Sequence, residues 1–401
     1  MKPIGNIAVG ETEIREQLAH VAAEQQELLE RVRTPCLVVD GDALRANCRI
    51  AASQAQIAGV AIRPHVKAHK CSAILREQLE AGGTTGVTCA TAYEAETLAA
   101  LGFEDILVAN EVVSRAGIEA LIGAAGLAEN LVVAVDSPRA MAAASAVALA
   151  AGREVGVLVD IDVGSGRCGV AADSDAIWQL AQRASRHDGL RFQGIMGYTG
   201  RANYFASRAE RLAVAAEVKT TLTIARRGLE AHGMVPRTIS GGSTGLFDLD
   251  QGLTEIQLGS YILMEGRYSG VGLPFVPALF CAATVISSSR PTHVVLDCGW
   301  KALSGEFGFP LLPPGLEAVA FGDEHLICTA TEPGQFTIGD VVLVLPAHLD
   351  PTMNLHERLL LFDGQGVTEW PIDLRRTGPL LSAAAQVGRP ASPCPADPGR
   401  S

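Results

Sequence analysis

The chain has 401 residues, of which 48% are hydrophobic and 19% are charged, and its formal net charge is −12. This length and composition predict about two domains with large apolar cores and exclude disorder over most of the chain. The acidic balance argues against nucleic acid as a partner, because a protein that follows the phosphate backbone carries a basic face.

Residues 1–33 are predicted to form an N-terminal helical segment, because 11–32 repeat apolar residues with helical spacing. The same residues are charged and contain no apolar run of the kind that directs export. The apolar segment TPCLVVD at 34–40 then predicts a first strand.

Eight further apolar runs, rich in β-branched residues, alternate with segments of helical spacing. The runs cover 59–67, 86–90, 105–110, 130–136, 154–163, 191–198, 237–240 and 254–259, and the clearest helical segments cover 91–101, 114–125, 138–151, 174–186 and 206–232. Such alternation indicates a parallel sheet with both faces covered. Eight units predict an α/β fold, a (β/α)8 TIM barrel over 34–275 with which the strand at 34–40 pairs. A doubly wound open sheet is the alternative, but no G-x-G-x-x-G follows the first of these runs.

After residue 275 the periodicity changes. Segments 279–289, 293–299 and 340–348 are strand-like and are separated by turn-rich stretches. This pattern predicts a second, mostly antiparallel β domain at 276–385. The Pro-rich residues 386–401 predict a disordered tail.

The nine cysteines are scattered between Cys36 and Cys394 without a C-x-x-C pair. An odd, irregular set differs from the disulfide framework of a secreted protein, so we predict reduced thiols in a cytoplasmic protein. No stretch of about 18 apolar residues occurs, and we therefore expect no membrane association.

The octapeptide R-P-H-V-K-A-H-K, from Arg63 to Lys70, follows the first of the eight runs. Active sites of TIM barrels gather at the carboxyl ends of the strands, which makes Lys67 a candidate nucleophilic amine beside His65 and His69. Burial and the positive charges of Arg63 and Lys70 are expected to lower the pKa of Lys67. The alternative, a solvated basic loop, is the commoner role of a basic octapeptide.

The glycine-rich loop S-G-G-S-T-G, from Ser240 to Gly245, follows the seventh run. Its backbone N–H groups and the hydroxyls of Ser243 and Thr244 can surround a phosphate, at the usual phosphate site of this barrel. For this loop alone, a flexible connector is the alternative. A phosphate site and a reactive amine on one face favour pyridoxal phosphate as the cofactor.

Two further loops at this face carry candidate contacts. Arg167, in D-V-G-S-G-R-C-G-V (162–170), either reaches a phenolate or carboxylate in the barrel mouth or belongs to a surface turn. Tyr198, in G-Y-T-G (197–200), either contacts the cofactor or caps the barrel.

The segment P-A-H-L-D-P-T-M-N (346–354) carries a candidate metal motif. In an extended segment His348 and Asp350 point to the same side. One imidazole and one carboxylate form half of a site for a divalent cation. An H-x-D sequence in a surface loop is the commoner alternative.

These motifs, in this order, resemble the fold-type III pyridoxal-phosphate enzymes, in the branch of D-threonine aldolases, 3-hydroxy-D-aspartate aldolases and D-serine dehydratases. The resemblance extends from about Thr34 to about Asp373. It implies that Lys67 forms the Schiff base, that Arg167 lies near the phenolic oxygen of the cofactor and that Tyr198 lines the pocket.

The resemblance also implies a metal on His348 and Asp350 and a homodimer with the active site near the subunit interface. It implies that the phosphate is held by Gly242, Ser243, Thr244, Gly245 and Tyr261.

The choice of reaction depends on the metal motif. The aldolases that this chain resembles carry H-x-D and the dehydratases carry H-x-C, so Asp350 favours an aldolase that cleaves D-3-hydroxy-α-amino acids to glycine and an aldehyde. A carboxylate ligand favours Mn²⁺ or Mg²⁺, with Zn²⁺ as the alternative. Segments 296–304 and 89–96 are closer to the dehydratases, so a D-serine or D-3-hydroxyaspartate dehydratase stays open, as does a racemase or transferase.

The sequence leaves other assignments open. The base that takes the β-hydroxyl proton is His65, His69 or a metal-bound water. A non-catalytic cofactor-binding barrel is disfavoured, because such proteins are shorter and lack the second domain. A sugar-phosphate TIM barrel would keep the phosphate loop without a cofactor imine.

Overall fold

The N-terminal part of the chain contributes two helices and one strand. The computed structural model describes residues 10–364 and 366–375, so the predicted tail at 386–401 lies outside the described residues. Helices α1 (Glu11–Glu24) and α2 (Gln26–Leu29) confirm the helical periodicity near the N-terminus. Strand β1 (Cys36–Asp40) follows.

The predicted TIM barrel is confirmed. Its strands are β2 (Ala61–Pro64), β3 (Val87–Cys89), β4 (Asp105–Val108), β5 (Asn130–Val135), β6 (Val155–Asp160), β7 (Leu190–Gly197), β8 (Thr238–Gly241) and β9 (Glu255–Leu258). They pair in parallel in the order β2-β9-β8-β7-β6-β5-β4-β3. Parallel bridges from Ile62 to Thr84 and from His65 to Thr88 connect the two ends of the sheet and nearly close the barrel.

Helices cover the outside of the barrel. They are α3 (Gly41–Ala58), α4 (Ser72–Glu80), α5 (Ala92–Ala100), α6 (Arg115–Leu127), α7 (Pro138–Ala151), α8 (Ala176–Arg186) and α9 (Arg208–Ala231). Several begin at capping residues directly after a strand; Thr91, for example, forms a capping box with Glu94 at the start of α5. Inside the barrel, alternate strand residues form a small separate apolar cluster: Leu107, Val132, Ala134, Leu158 and Met196.

The second sheet is mostly antiparallel, as predicted. Its later strands are β10 (Leu279–Arg290), β11 (His293–Leu296), β12 (Leu316–Phe321), β13 (Leu326–Ala330), β14 (Val341–Val344), β15 (Arg358–Asp363) and β16 (Gly366–Pro371). In the described residues, the one α-helix between these later strands is α10 (Leu349–Leu355). The order is β12-β13-β11-β10-β1-β15-β16, with β14 paired to β10.

Strand β1 belongs to this second sheet, so the expectation that residues 34–40 pair with the barrel is wrong. It runs antiparallel to β10 and parallel to β15. Both of its faces are covered, because Val38 packs in the cluster with Leu18 of α1 while Leu37 and Val39 pack in the cluster that reaches the barrel. A strand that is apolar on both faces does not reveal from its own residues which sheet it joins.

Two other expectations concern the environment of the chain. Within residues 10–364 and 366–375, no helix combines the length and apolar character needed to cross a bilayer. The cysteines in the same ranges are free thiols, which agrees with the prediction of reduced cysteines.

Arg63 connects barrel strands from inside the fold and generates a stability prediction. Its guanidinium is buried and bonds Glu255 at 2.9 Å and Asp105 at 3.1 Å. Arg63→Ala leaves the buried Glu255 carboxylate without its partner, and we expect a loss of about 3–5 kcal/mol of stability. Urea unfolding monitored by circular dichroism measures the free energy of unfolding of the variant and the wild type. The control Arg115→Ala, in an exposed pair with Glu119, is expected to change stability by less than about 0.5 kcal/mol, and equal losses for the two variants would contradict this account.

Candidate active site

The carboxyl ends of the barrel strands enclose a cavity of about 170 Å³. Lys67 lies in a 3-10 turn, Val66–Ala68, directly after β2. The structure brings it together with three other predicted site residues, because the cavity is lined by His65, Lys67, Ala90, Ala109, Asn110, Arg167, Met196, Tyr198 and Gln257. The guanidinium of Arg167 lies 5.3 Å from the ring centre of Tyr198. Gln257 and Asn110 are cavity residues that the sequence motifs did not include.

The amine of Lys67 forms an ion pair with the second domain. Its Nζ donates a hydrogen bond to Oδ1 of Asp350 at 2.9 Å. Burial is the largest single effect and opposes the ammonium form, but the Asp350 carboxylate together with Tyr198 and Glu265 outweighs it and raises the pKa of Lys67 above its ordinary value. The expectation of a lowered pKa is therefore wrong. The neighbouring cations do not produce the expected repulsion, because Arg63 pairs with Glu255 and Lys70 pairs with Glu94.

His65 faces the cavity as a neutral ring. Burial, followed by the charge of Lys67, lowers the pKa of His65 well below its ordinary value. Its Nδ1 accepts a long hydrogen bond from the backbone N–H of Lys67 at 3.4 Å. The proton of the neutral imidazole is then on Nε2, which makes that nitrogen a hydrogen-bond donor on a residue that lines the cavity.

His69 does not line the cavity, although the sequence grouped it with Lys67. Its Nδ1 accepts from the backbone N–H of Cys71 at 3.2 Å, and its Nε2 bonds Oε1 of Gln78 at 3.1 Å. Burial lowers the pKa of His69 to about 4. Gln78 in turn donates to the hydroxyl of Tyr261 at 3.1 Å. His69 and Tyr261, predicted for separate roles, thus belong to one buried hydrogen-bond chain.

The glycine-rich loop after β8 has the features of an anion site. Ser243 and Thr244 are buried, and a 3-10 turn, Thr244–Leu246, begins there. The Ser243 Oγ has no hydrogen-bond partner among residues 10–364 and 366–375. Gly242 has a φ of 81°, and a Cβ at this position would meet Ile256. A buried hydroxyl donor without a partner fits a phosphate group, which supplies several acceptor oxygens.

The metal motif lies at the start of helix α10. The expectation of an extended segment holds for the backbone of His348 and is wrong for Asp350. His348 has an extended backbone and caps α10, whereas Asp350 lies in the first turn. Pro351 is compatible with a first turn because the missing N–H is not needed there. In the described residues no group of three or more His, Cys, Asp or Glu forms a metal site. His348 and Asp350 remain a pair of donors, one imidazole and one carboxylate, which suits a divalent cation completed by water or substrate.

Glu265 positions the start of α10, and the sequence motifs did not include it. It is buried directly after the last barrel strand and the 3-10 turn Ser260–Ile262. Its carboxylate accepts hydrogen bonds from the hydroxyl of Tyr204 at 2.9 Å and from the backbone N–H of Leu349. Leu349 stands between the two predicted metal ligands, so Glu265 fixes their backbone relative to the barrel. A lone glutamate gives no sequence signal for such a role.

Comparisons with known proteins agree with this arrangement. The alanine racemase N-terminal domain family matches residues 39–265, and the putative serine dehydratase domain family matches residues 278–362. A D-threonine aldolase from Arthrobacter sp. is 38% identical over 88% of this chain and 95% of its own length. The chain belongs to the family of D-threonine aldolase, with its alanine racemase-type N-terminal domain. The resemblance predicted from the motifs is confirmed.

Two further members of the family show how far the likeness extends. A 3-hydroxy-D-aspartate aldolase from Paracoccus denitrificans (strain Pd 1222) is 33% identical over 86% of this chain and 93% of its own length. The crystal structure of D-threonine aldolase from Filomicrobium marinum matches with a TM-score of 0.82 and 34% identity, over 86% of this chain and 96% of that one. The prediction of an enzyme of this family, with its alanine racemase-like barrel, is confirmed.

Asp160, at the end of β6, generates a pH prediction for this enzyme. Burial, followed by the nearby Glu111 carboxylate, raises the pKa of Asp160 to about 8. The folded chain then binds more protons than the unfolded chain between about pH 4 and pH 8, so stability falls as pH rises through this window. We expect the melting temperature of Asp160→Asn to exceed that of the wild type by a margin that grows from about pH 5 to pH 9.

Differential scanning fluorimetry across this range measures the effect. The control is Asp173→Asn, at an exposed position outside the cavity. A difference in melting temperature between Asp160→Asn and the wild type that stays constant over this pH range would contradict the raised pKa of Asp160.

Proposed function

We propose that the chain is a pyridoxal-phosphate- and divalent-metal-dependent aldolase that cleaves D-3-hydroxy-α-amino acids of the D-threonine type to glycine and an aldehyde. The observation that carries the proposal is the contact between Lys67 in the barrel mouth and Asp350 of the H-x-D motif. It brings a candidate imine-forming amine next to a candidate metal ligand. The relatives named D-threonine aldolase and 3-hydroxy-D-aspartate aldolase support this reaction class.

The residues that would hold the cofactor surround the same cavity. Lys67 supplies the amine for the Schiff base, Arg167 and Tyr198 lie beside it, and the loop Gly242–Gly245 supplies the phosphate site with its unpaired Ser243 hydroxyl. The family resemblance adds Tyr261, whose contacts with Gln78 and Phe275 place it in the buried core. When bound, pyridoxal phosphate serves as an electron sink for the carbanion that remains at Cα.

The metal would bind His348 and Asp350. Their donor atoms, one nitrogen and one carboxylate oxygen, favour Mn²⁺ or Mg²⁺ and also accept Zn²⁺. A bound cation lowers the pKa of an attached hydroxyl and so favours cleavage of the Cα–Cβ bond.

The protein residues then divide the remaining tasks. His65, with its proton on Nε2, donates a hydrogen bond into the cavity and helps to orient the substrate. The amine of Lys67 lies 2.9 Å from Oδ1 of Asp350, so it stands beside the proposed metal site and would take the proton of a β-hydroxyl group bound there. His69 has both ring nitrogens engaged and takes no part in proton transfer in this scheme.

A dehydratase acting on D-serine or D-3-hydroxyaspartate is the second candidate. The match of residues 278–362 to the putative serine dehydratase domain favours it, as do the dehydratase-like segments 296–304 and 89–96. Asp350 in place of the cysteine of the dehydratases favours the aldolase. We further propose a cytoplasmic homodimer with the active site near the subunit interface, on the strength of the family resemblance.

The aldolase is tested by incubating the cofactor-loaded protein with D-threonine, with and without Mn²⁺. We expect acetaldehyde and glycine in equal amounts only with the metal. We also expect a loss of kcat/KM of about a thousandfold or more in Lys67→Ala, because the amine that holds the cofactor and moves the proton is gone. Lys219→Ala, a surface lysine paired with Asp250, is the control. Formation of 2-oxobutyrate and ammonia instead would show that the protein is a dehydratase and not an aldolase.

A further inference from the structure

Glu306 lies in the loop between β11 and β12, outside every motif that carries the family resemblance. Its Oε2 is 2.7 Å from Nδ1 of His348. The carboxylate is about half exposed, whereas the His348 side chain is only 17% exposed. One edge of the proposed metal-binding imidazole is therefore occupied by a carboxylate that comes from a separate part of the chain.

This contact assigns the two ring nitrogens. A carboxylate accepts hydrogen bonds and does not donate them, so Nδ1 of His348 carries the proton that faces Glu306. The lone pair of the neutral ring is then on Nε2. Metal-binding histidines commonly have this arrangement, with the second nitrogen donating to a carboxylate that fixes the tautomer and the direction of the ring.

The loop that carries Glu306 is itself held against α10. The backbone N–H of Ser304 donates to Oγ1 of Thr352 at 3.0 Å, and that hydroxyl donates to the carbonyl of His348 at 2.7 Å. His356, directly after α10, bonds the carbonyl of Ala302 through Nε2 at 2.8 Å. These bonds keep Glu306 close to His348 although the two residues are 42 positions apart in the chain.

Phe307 holds the face of the same imidazole. Its ring centre lies 4.4 Å from that of His348. Arg267 lies 3.6 Å from the Phe307 ring centre and 3.8 Å from that of Tyr204. Tyr204 in turn bonds Glu265, which accepts a hydrogen bond from the backbone N–H of Leu349. The contacts that begin at the Phe307 ring therefore lead back to the residue that follows His348. The imidazole is thus fixed at its edge by Glu306 and at its face by Phe307.

We propose that Glu306 is a positioning residue of the metal site, whose carboxylate sets the tautomer and orientation of His348 and thereby the affinity for the divalent cation. The inference rests on the proposed function, which assigns the metal to His348 and Asp350. Glu306 does not touch the substrate in this account and acts through His348 alone.

The test is a titration of the cofactor-loaded protein with Mn²⁺, in which the electron paramagnetic resonance signal of free Mn²⁺ gives the dissociation constant. We expect Glu306→Ala to weaken Mn²⁺ binding by about 10–100-fold. Glu306→Gln, whose amide oxygen still accepts from Nδ1 without the charge, is expected to fall between this variant and the wild type. The cofactor absorbance and the metal-free melting temperature should not change. The control is Glu332→Ala, at an exposed position of the same domain.

Activity provides a second readout that separates positioning from chemistry. At saturating Mn²⁺, kcat of Glu306→Ala should approach the wild-type value, while the Mn²⁺ concentration for half-maximal activity rises by the same factor as the dissociation constant.

The possible outcomes distinguish the two proposals. Wild-type Mn²⁺ affinity in Glu306→Ala, with binding lost in His348→Ala, overturns the positioning role and leaves the proposed function intact. A parallel loss of melting temperature and cofactor absorbance in Glu306→Ala also overturns it, because the carboxylate would then support the fold. A wild-type protein that binds no Mn²⁺ overturns the metal-dependent function and this inference together.

Discussion

The ion pair between Lys67 and Asp350 joins the two halves of the molecule at the site of chemistry. Lys67 follows β2, at the barrel mouth. Asp350 lies 283 residues later, in helix α10, between β14 and β15 of the second sheet. Each group neutralises the other in a partly buried place, where a single charge would be costly. The pair also explains why Lys67 keeps a raised pKa among neighbouring cations.

The barrel topology creates the conditions for that contact. Strands β2 and β9 are neighbours, so Lys67, which follows β2, and Glu265, which follows β9, emerge at the same edge of the barrel. Glu265 then fixes the backbone of Leu349, one residue from each proposed metal ligand. The parallel closure of the barrel, more than any local motif, brings the proposed cofactor-binding amine of Lys67 and the proposed metal motif together.

The sequence predicted the features that depend on local periodicity and on motifs. All eight barrel strands and the helices α5 to α9 were found from apolar spacing. Lys67, His65, Arg167 and Tyr198 do line one cavity. Two of the errors concern partners that are distant in the chain, namely the pairing of β1 with β10 and β15 and the ion pair of Lys67 with Asp350. The other errors are local, since His69 bonds Cys71 and Gln78 and the H-x-D motif begins a helix where an extended segment was expected. Glu265 and Glu306 were missed because they act through long-range contacts, Glu265 with Tyr204 and Leu349 and Glu306 with His348.

We propose that Lys67, and not the nearby Lys70, forms the imine with pyridoxal phosphate. Lys70 is paired with the buried Glu94, whereas Lys67 borders the cavity beside Arg167 and Tyr198. The most direct measurement is reduction of the cofactor-loaded protein with borohydride, followed by proteolysis and mass spectrometry. We expect a single phosphopyridoxyl group, on Lys67. A group on Lys70 or on any other lysine would contradict it.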